Sequence, residues 1–327
     1  MFIEHFKNMD IVLVVLLLLV GLFLIIKGGD FFVDAASWFA EISGIPKFLI
    51  GATIVSIATT LPEMLVSIIA TIQGNSEMAI GNAIGSVTAN TGLILGISIL
   101  CCAGVINRKE FNLKSILMLL AAIVLTLFSL NGTFGLLPSG ILLAIFFIFF
   151  YDSVRTAKEA YEDSLEEKVK PTKKQIIIGL CKFIFGALGI IAGAELLVDT
   201  GTVIAITLNV PDSVIAVTIV AIGTSLPEFT TAITALVKKQ GLLSVGNIIG
   251  ANIMDMTLIL PICSFISGGA LSVENQTIYY DMPFCLAIGI IAIIPAIIKK
   301  RFMKWQGVVM LATYILYVIL VVYFPIV

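Results

Sequence analysis

Apolar runs long enough to cross a bilayer follow one another through almost the whole of this 327-residue chain; a helical span needs about 20 such residues. Hydrophobic residues make up 59% of it and charged ones 12%. The mean hydropathy of +1.13 lies far from that of a water-soluble domain. Unpaired backbone cannot face lipid, and the runs lack the alternation of barrel strands, so they are read as helices. Ten spans are expected, over about 9–27, 45–73, 79–104, 113–130, 135–151, 175–200, 212–238, 244–267, 282–299 and 303–325. The polar stretch Asp152–Lys174 between the fifth and sixth reads as a solvated linker. At about 23 residues it is far below domain size. The fold class is thus an all-α polytopic membrane protein.

Several function classes drop out on composition. A formal net charge of −2, without a basic helix face, gives no sign of a nucleic-acid partner. The single histidine is His5, which argues against His-based catalysis and against an intramembrane zinc site of the HExxH kind. The chain is therefore not read as an enzyme, and no cofactor is expected. Cys101, Cys102, Cys181, Cys263 and Cys285 lie in apolar stretches without CxxC spacing and read as small core hydrophobes. Lys7 followed by Ile11–Ile26, with no small-residue cleavage site, reads as a retained first span. No obligatory protein partner is evident; the lipid bilayer is the expected surrounding.

Lysine and arginine fall in alternate loops: Lys27 and Lys47, then Arg108, Lys109 and Lys114, the linker, Lys238 and Lys239, and finally Lys299 to Lys304. The other loops hold almost none. The positive-inside rule places the basic set, linker 152–174 included, in the cytoplasm and both termini outside the plasma membrane.

One phrase inside these runs occurs twice, as Thr53-Ile-Val-Ser-Ile-Ala-Thr-Thr-Leu-Pro-Glu63 and as Thr218-Ile-Val-Ala-Ile-Gly-Thr-Ser-Leu-Pro-Glu228. The halves align without a gap at an offset of 165 residues, the separation of Glu63 from Glu228. Pro46 then falls on Pro211, Gly81-Asn82 on Gly246-Asn247, and Asn90 on Asp255. Five spans per half is an odd number, so the second half must insert upside down. Residues 1–151 and 175–327 are expected to form inverted-topology repeats of five helices, an arrangement common among secondary transporters.

A proline within a helix removes a hydrogen bond and displaces the carbonyl four residues back. Pro62 frees the carbonyl of Ala58 and Pro227 that of Gly223, and the neighbouring carbonyls of Thr59 and Thr224 are loosened. Hydroxyls (Thr59, Thr60, Thr224, Ser225) and the carboxylates Glu63 and Glu228 sit within about one helical turn of these prolines. An ionised group at the bilayer centre costs roughly 2.5–3.5 kcal/mol, so a matched pair implies a counter-charge. All the groups offered are hard oxygens, which suit Ca²⁺ or Na⁺ and not soft metals. The bland alternative is that both acids are neutral, hydrogen-bonded structural groups. A second element, Gly81-Asn-Ala-Ile-Gly-Ser86 with Asn90 and Gly246-Asn-Ile-Ile-Gly-Ala251 with Asp255, carries a GxxxG pair for close helix approach. Ser86 and Asn90 share a helix face. Asn90 and Asp255 can also be read as plain helix–helix glue, and Asp30, Asp34, Glu195 and Asp199 as interfacial caps. Trp38 and Trp305 read as interface anchors.

These doubled segments, Thr-Thr-Leu-Pro-Glu and Gly-Thr-Ser-Leu-Pro-Glu, each followed by Gly-Asn-x-x-Gly, resemble the two alpha repeats of the cation/Ca²⁺ antiporters, in particular the prokaryotic sodium/calcium exchangers. The resemblance covers essentially the whole chain, with alpha motifs over 51–98 and 216–263. It implies a ten-helix antiporter in which helices two, three, seven and eight hold a diamond of four cation sites, and helices one and six slide against them. Carried over, the Ca²⁺ ligands fall on Glu63 and Glu228 with the carbonyls of Thr59 and Thr224. The flanking Na⁺ sites fall on Ser56, Thr60, Ser86, Ala221 and Ser225, and a central polar pair on Asn90 and Asp255. Three positions depart from the family pattern: Thr60 and Ala251 stand for serines and Ala58 for a glycine. The implied activity is Ca²⁺ efflux driven by Na⁺ influx. Ca²⁺/H⁺ exchange, K⁺-dependent Na⁺/Ca²⁺ exchange and, more distantly, a cation channel remain open beside it.

Overall fold

A computed structural model of the chain describes residues 10–101, 107–163, 171–207 and 225–324. Within them lie ten helices: α1 Ile11–Ser43, α2 Lys47–Ile72, α3 Ser76–Cys101, α4 Arg108–Ser129, α5 Leu136–Asp163, α6 Lys173–Thr207, α7 Leu226–Val237, α8 Gly241–Ile266, α9 Thr277–Lys299 and α10 Lys304–Tyr323. All but α7 are apolar and long enough to cross a membrane. The described part of α7 is 12 residues long and corresponds to the second half of α2 at the 165-residue offset. A short antiparallel ribbon, β1 Thr133–Gly135 with β2 Ala270–Ser272, pairs Phe134 with Leu271.

The elements repeat with their directions reversed. The turn after α2 lies at the end of the molecule where Ser76 accepts a hydrogen bond from the backbone of Ser272, at 3.1 Å. Its counterpart after α7 lies at the other end, where Gln240 accepts from the Lys47 ammonium at 2.6 Å. The two turns match in backbone as well, with Gly74 at φ 81° and Lys239 at φ 58°. Equivalent turns at opposite ends are what an inverted repeat requires. The basic segments gather at one end: Phe111 meets both Phe48 and Phe302 edge to face, and Lys114 pairs with Asp152. The sequence grouped these same segments by charge.

Helices α1 and α6 run antiparallel and touch backbone to backbone. An added Cβ on Gly28 would lie 2.8 Å from the carbonyl oxygen of Gly186, and one on Gly193 would lie 2.7 Å from that of Gly21. Gly186 is the repeat counterpart of Gly21, and Gly193 that of Gly28, so the pair crosses about a pseudo-two-fold axis. Both helices run beyond the expected spans. At 33 residues α1 is about 50 Å long, against a hydrocarbon core of about 30 Å. It runs on past Lys27 through Asp30 and Asp34, which are paired from across the fold by Lys238, at 3.2 and 2.8 Å, with Lys27 itself 3.8 Å from Asp30. These two acids are therefore ion-pair partners and not helix caps. Helix α5 likewise continues to Asp163, with the exposed pairs Arg155–Glu159 and Lys158–Glu162 along the part expected as linker.

The core is built on α8, whose central residues Gly246 to Met254 are all buried. The glycines do here what the GxxxG spacing implies. An added Cβ on Gly246 would run into the backbone of Phe48 and Ala52, and one on Gly250 into Ala52 and the Ser56 hydroxyl. So α8 lies directly against α2. Apolar side chains on α1, α5, α6 and α10 point outward instead, Phe23, Phe147, Phe185 and Ile315 among them. Cys101 and Cys181 belong to that outward set, which corrects their reading as core residues; Cys263 and Cys285 are buried as expected, and Cys102 lies outside the described residues. Trp38 is half-buried against Gly179 of α6, not a free interfacial ring, whereas Trp305 is exposed.

Candidate cation site

Helix α2 carries Pro62 without ending, its α-helical part running unbroken from Ser56 to Ile72 behind a π-helical turn at Gly51–Val55. In the second repeat the described helix begins beside the equivalent proline, Pro227, with Ser225 as N-cap. Glu63 and Glu228, each directly after its proline, lie in the interior, each 1% exposed. π-Helical turns also begin at Asn90 in α3 and at Asp255 in α8, equivalent positions in the two repeats. Such insertions occur frequently at functional sites. They interrupt the helices at the residues expected to form the central polar pair.

The expected residues that the structure describes are all buried: Ser56, Thr59, Thr60, Glu63, Ser86, Asn90, Ser225, Glu228 and Asp255. Ala221 and Thr224 lie outside the described residues. The two repeats meet here. Thr60 donates to the Oε1 atom of Glu228 at 3.4 Å, and Thr59 to Asn247 Oδ1 at 3.2 Å. The carboxyl groups of Glu63 and Glu228 interact directly, and Asp255 is within electrostatic range of both. No group of three acids, cysteines or histidines converges on one point among the described residues.

What distinguishes this interior is unmet hydrogen-bonding capacity. Among the described residues, both oxygens of Glu63, Glu228 Oε2, Asp255 Oδ1, the whole amide of Asn90, and the hydroxyls of Ser86 and Ser225 have no partner. Leaving one such group unpaired costs about 1–3 kcal/mol, and more for a charge. Buried polar groups in proteins are as a rule paired, and here the open ones include three carboxyl groups. Two neighbouring carboxyl groups that share three oxygens without a donor are completed by a cation or a proton. Oxygen supplied by acids, hydroxyls and an amide is a shell for a hard ion.

Sequence reasoning left out four residues of this interior. Asn247 takes the Thr59 hydrogen bond, and its counterpart Asn82 donates to Ser67 Oγ at 3.0 Å and to the Glu63 carbonyl at 3.4 Å. Their signal was the Gly-Asn pair repeated at the 165-residue offset. Asn252 donates to Thr91 at 2.7 Å, and neither residue has a polar counterpart in the other repeat to mark it.

Comparison with known proteins agrees with this architecture. The family model described as sodium/calcium exchanger protein matches residues 13–154 and 178–323, one match to each repeat. The chain belongs to the sodium/calcium exchanger family. Among its relatives, the sodium/calcium exchanger MaX1 of Methanosarcina acetivorans is 31% identical, with 94% of this chain and 98% of that protein covered. A membrane protein of Methanocaldococcus jannaschii is 33% identical over 304 residues, with 91% and 94% covered. A solved structure of the sodium-calcium exchanger NCX_Mj superposes with a TM-score of 0.81 at 31% identity, covering 94% of this chain and 98% of that one. The exchanger fold and a membrane-transport role follow from this membership.

Proposed function

We propose that this member of the exchanger family exchanges Ca²⁺ for Na⁺ by alternating access, extruding Ca²⁺ as Na⁺ enters across the plasma membrane. The carrying observation is the neighbouring pair Glu63 and Glu228, each 1% exposed, with both oxygens of Glu63 and Oε2 of Glu228 left without a donor among the described residues. In this reading two carboxylates balance one Ca²⁺, and the carbonyls of Thr59 and Thr224 complete its shell. Ca²⁺ takes 6–8 oxygens at about 2.3–2.6 Å. Ser56, Thr60, Ser86, Ala221 and Ser225 hold Na⁺ on the flanks, drawing on the same glutamates, so Ca²⁺ and Na⁺ cannot load together. Occupancy neutralises the acids and permits the α1–α6 pair to slide, whereas an empty, charged site resists crossing an apolar barrier.

The basic end of the molecule faces the cytoplasm in this reading, with both termini outside. The named activities of MaX1 and NCX_Mj, each alike over nearly the whole chain, support Na⁺ and Ca²⁺ as the ions. Asn90 and Asp255 form the central polar pair. The open Oδ1 of Asp255 gives a second reading, K⁺-dependent exchange, its one specific support. Competition binding decides between them. Calorimetry with purified protein should show Ca²⁺ binding that Na⁺ weakens and K⁺ leaves unchanged. Binding indifferent to Na⁺ would sink the proposal, and binding that requires K⁺ would move it to the second reading.

A further inference from the structure

A crevice of about 180 Å³ opens between α1 and α6 at the basic end, away from the cation site. Asp34, Ala35 and Trp38 of α1 line one wall, and Gln175, Ile178, Gly179 and Lys182 of α6 the other. Its surroundings are apolar and outward-facing: Ile177, Ile178, Ile184 and Phe185 are among the exposed hydrophobic residues of α6.

The polar groups of the crevice are donors. Lys182 is exposed and makes no ion pair among the described residues. It is also a lone cation, since the next basic residue toward the N-terminus of α6 is Lys174, two turns away, and none follows within the helix. Gln175 has its Oε1 occupied by the backbone and hydroxyl of Thr172, at 2.8 and 3.0 Å, which leaves its NH₂ for another acceptor. The Trp38 ring sets its six-membered edge against Gly179 and forms an apolar wall of the crevice. The one acid present, Asp34, is already held by Lys238 at 2.8 Å. A lysine at this depth extends its ammonium toward the headgroup layer while its stem stays against apolar surface. The Lys182 ammonium and the Gln175 NH₂ as donors, an acid already held by Lys238, and apolar walls match a phosphodiester carrying acyl chains. The volume is below that of pockets for whole drug-sized ligands but suits a headgroup.

We propose that this crevice binds the phosphate headgroup of an anionic phospholipid from the leaflet at the basic end. The lipid there bridges α1 and α6, the pair whose movement the exchange reading requires. The test uses the full chain in nanodiscs of phosphatidylglycerol and phosphatidylcholine in equal amounts, followed by native mass spectrometry after transfer to detergent. The protein should retain phosphatidylglycerol in preference to phosphatidylcholine. Lys182→Gln should lower that retention about tenfold, the loss of a charge-assisted hydrogen bond, and Lys182→Arg should keep it. Inorganic phosphate should leave the adduct in place. Equal retention of both lipids, unchanged retention by monodisperse Lys182→Gln, or displacement by inorganic phosphate would each overturn the proposal. Glu63→Gln should retain the lipid, so failure here is separable from failure of the ion-exchange reading.

Discussion

Glu63→Gln separates an ion ligand from a structural acid by its effect in two solutions. The glutamate is buried against Glu228, and neither of its oxygens has a donor among the described residues. Without cations, an amide of the same size removes an uncompensated carboxyl and can donate to the open Oε2 of Glu228. The cation-free protein should then be more stable by about 1–3 kcal/mol. With Ca²⁺ the sign reverses. One of two balancing charges is gone, and the uncompensated charge left in a low-dielectric interior costs several kcal/mol. Taking about 4 kcal/mol, Ca²⁺ binds roughly 10³-fold more weakly. A ligand at a hundredfold excess over its Kd stabilises the folded state by about 2.7 kcal/mol; after that weakening the gain falls below about 0.1 kcal/mol. Thermal unfolding in detergent, with chelator and with a Ca²⁺ titration, reads both effects. A variant less stable in chelator, or one that keeps the Ca²⁺-dependent shift, would refute the reasoning.

Three further outcomes follow from the packing and the charges. Gly246→Ala should destabilise the protein by about 1–3 kcal/mol, because the new methyl meets the backbone of Phe48 and Ala52; Gly140→Ala in α5, with open space around it, should gain up to about 1 kcal/mol from helix propensity. Thermal melts of the two side by side check the contrast in sign. Lys114→Met should cost about 2–3 kcal/mol, since Lys114 is fully buried and its partner Asp152 is left 21% exposed without a counter-ion; adding Asp152→Leu should recover most of that loss in the same melts. Glu228→Gln should abolish Na⁺-dependent Ca²⁺ flux while the protein stays monodisperse, and normal flux would remove Glu228 from the site.

The doubled Leu-Pro-Glu phrase carried most of what could be read in advance, because a proline and an acid together in an apolar helix have few uses. It singled out Glu63 and Glu228, which the fold buries, and the constant offset paired Asn90 with Asp255, where the π-helical turns of α3 and α8 begin. Charge alternation sorted the loops by end, which Lys47–Gln240 and Lys114–Asp152 agree with. The length of α1 was hidden because Asp30 and Asp34 look like a helix end until Lys238, about 200 positions later, is seen to pair with both. The outward placement of Cys101 and Cys181 was hidden for another reason. Lipid is as apolar as a protein core, so hydropathy in a membrane helix does not tell its two faces apart. Asn252 and Thr91 were missed because each lacks a polar partner at the repeat offset.

The most direct test of Na⁺/Ca²⁺ exchange is ⁴⁵Ca²⁺ uptake by proteoliposomes loaded with Na⁺ and diluted into buffer free of Na⁺ and K⁺. Uptake that needs internal Na⁺ is the predicted result. Uptake that ignores internal Na⁺ and follows an imposed pH gradient, or that appears only when K⁺ is supplied, would contradict it.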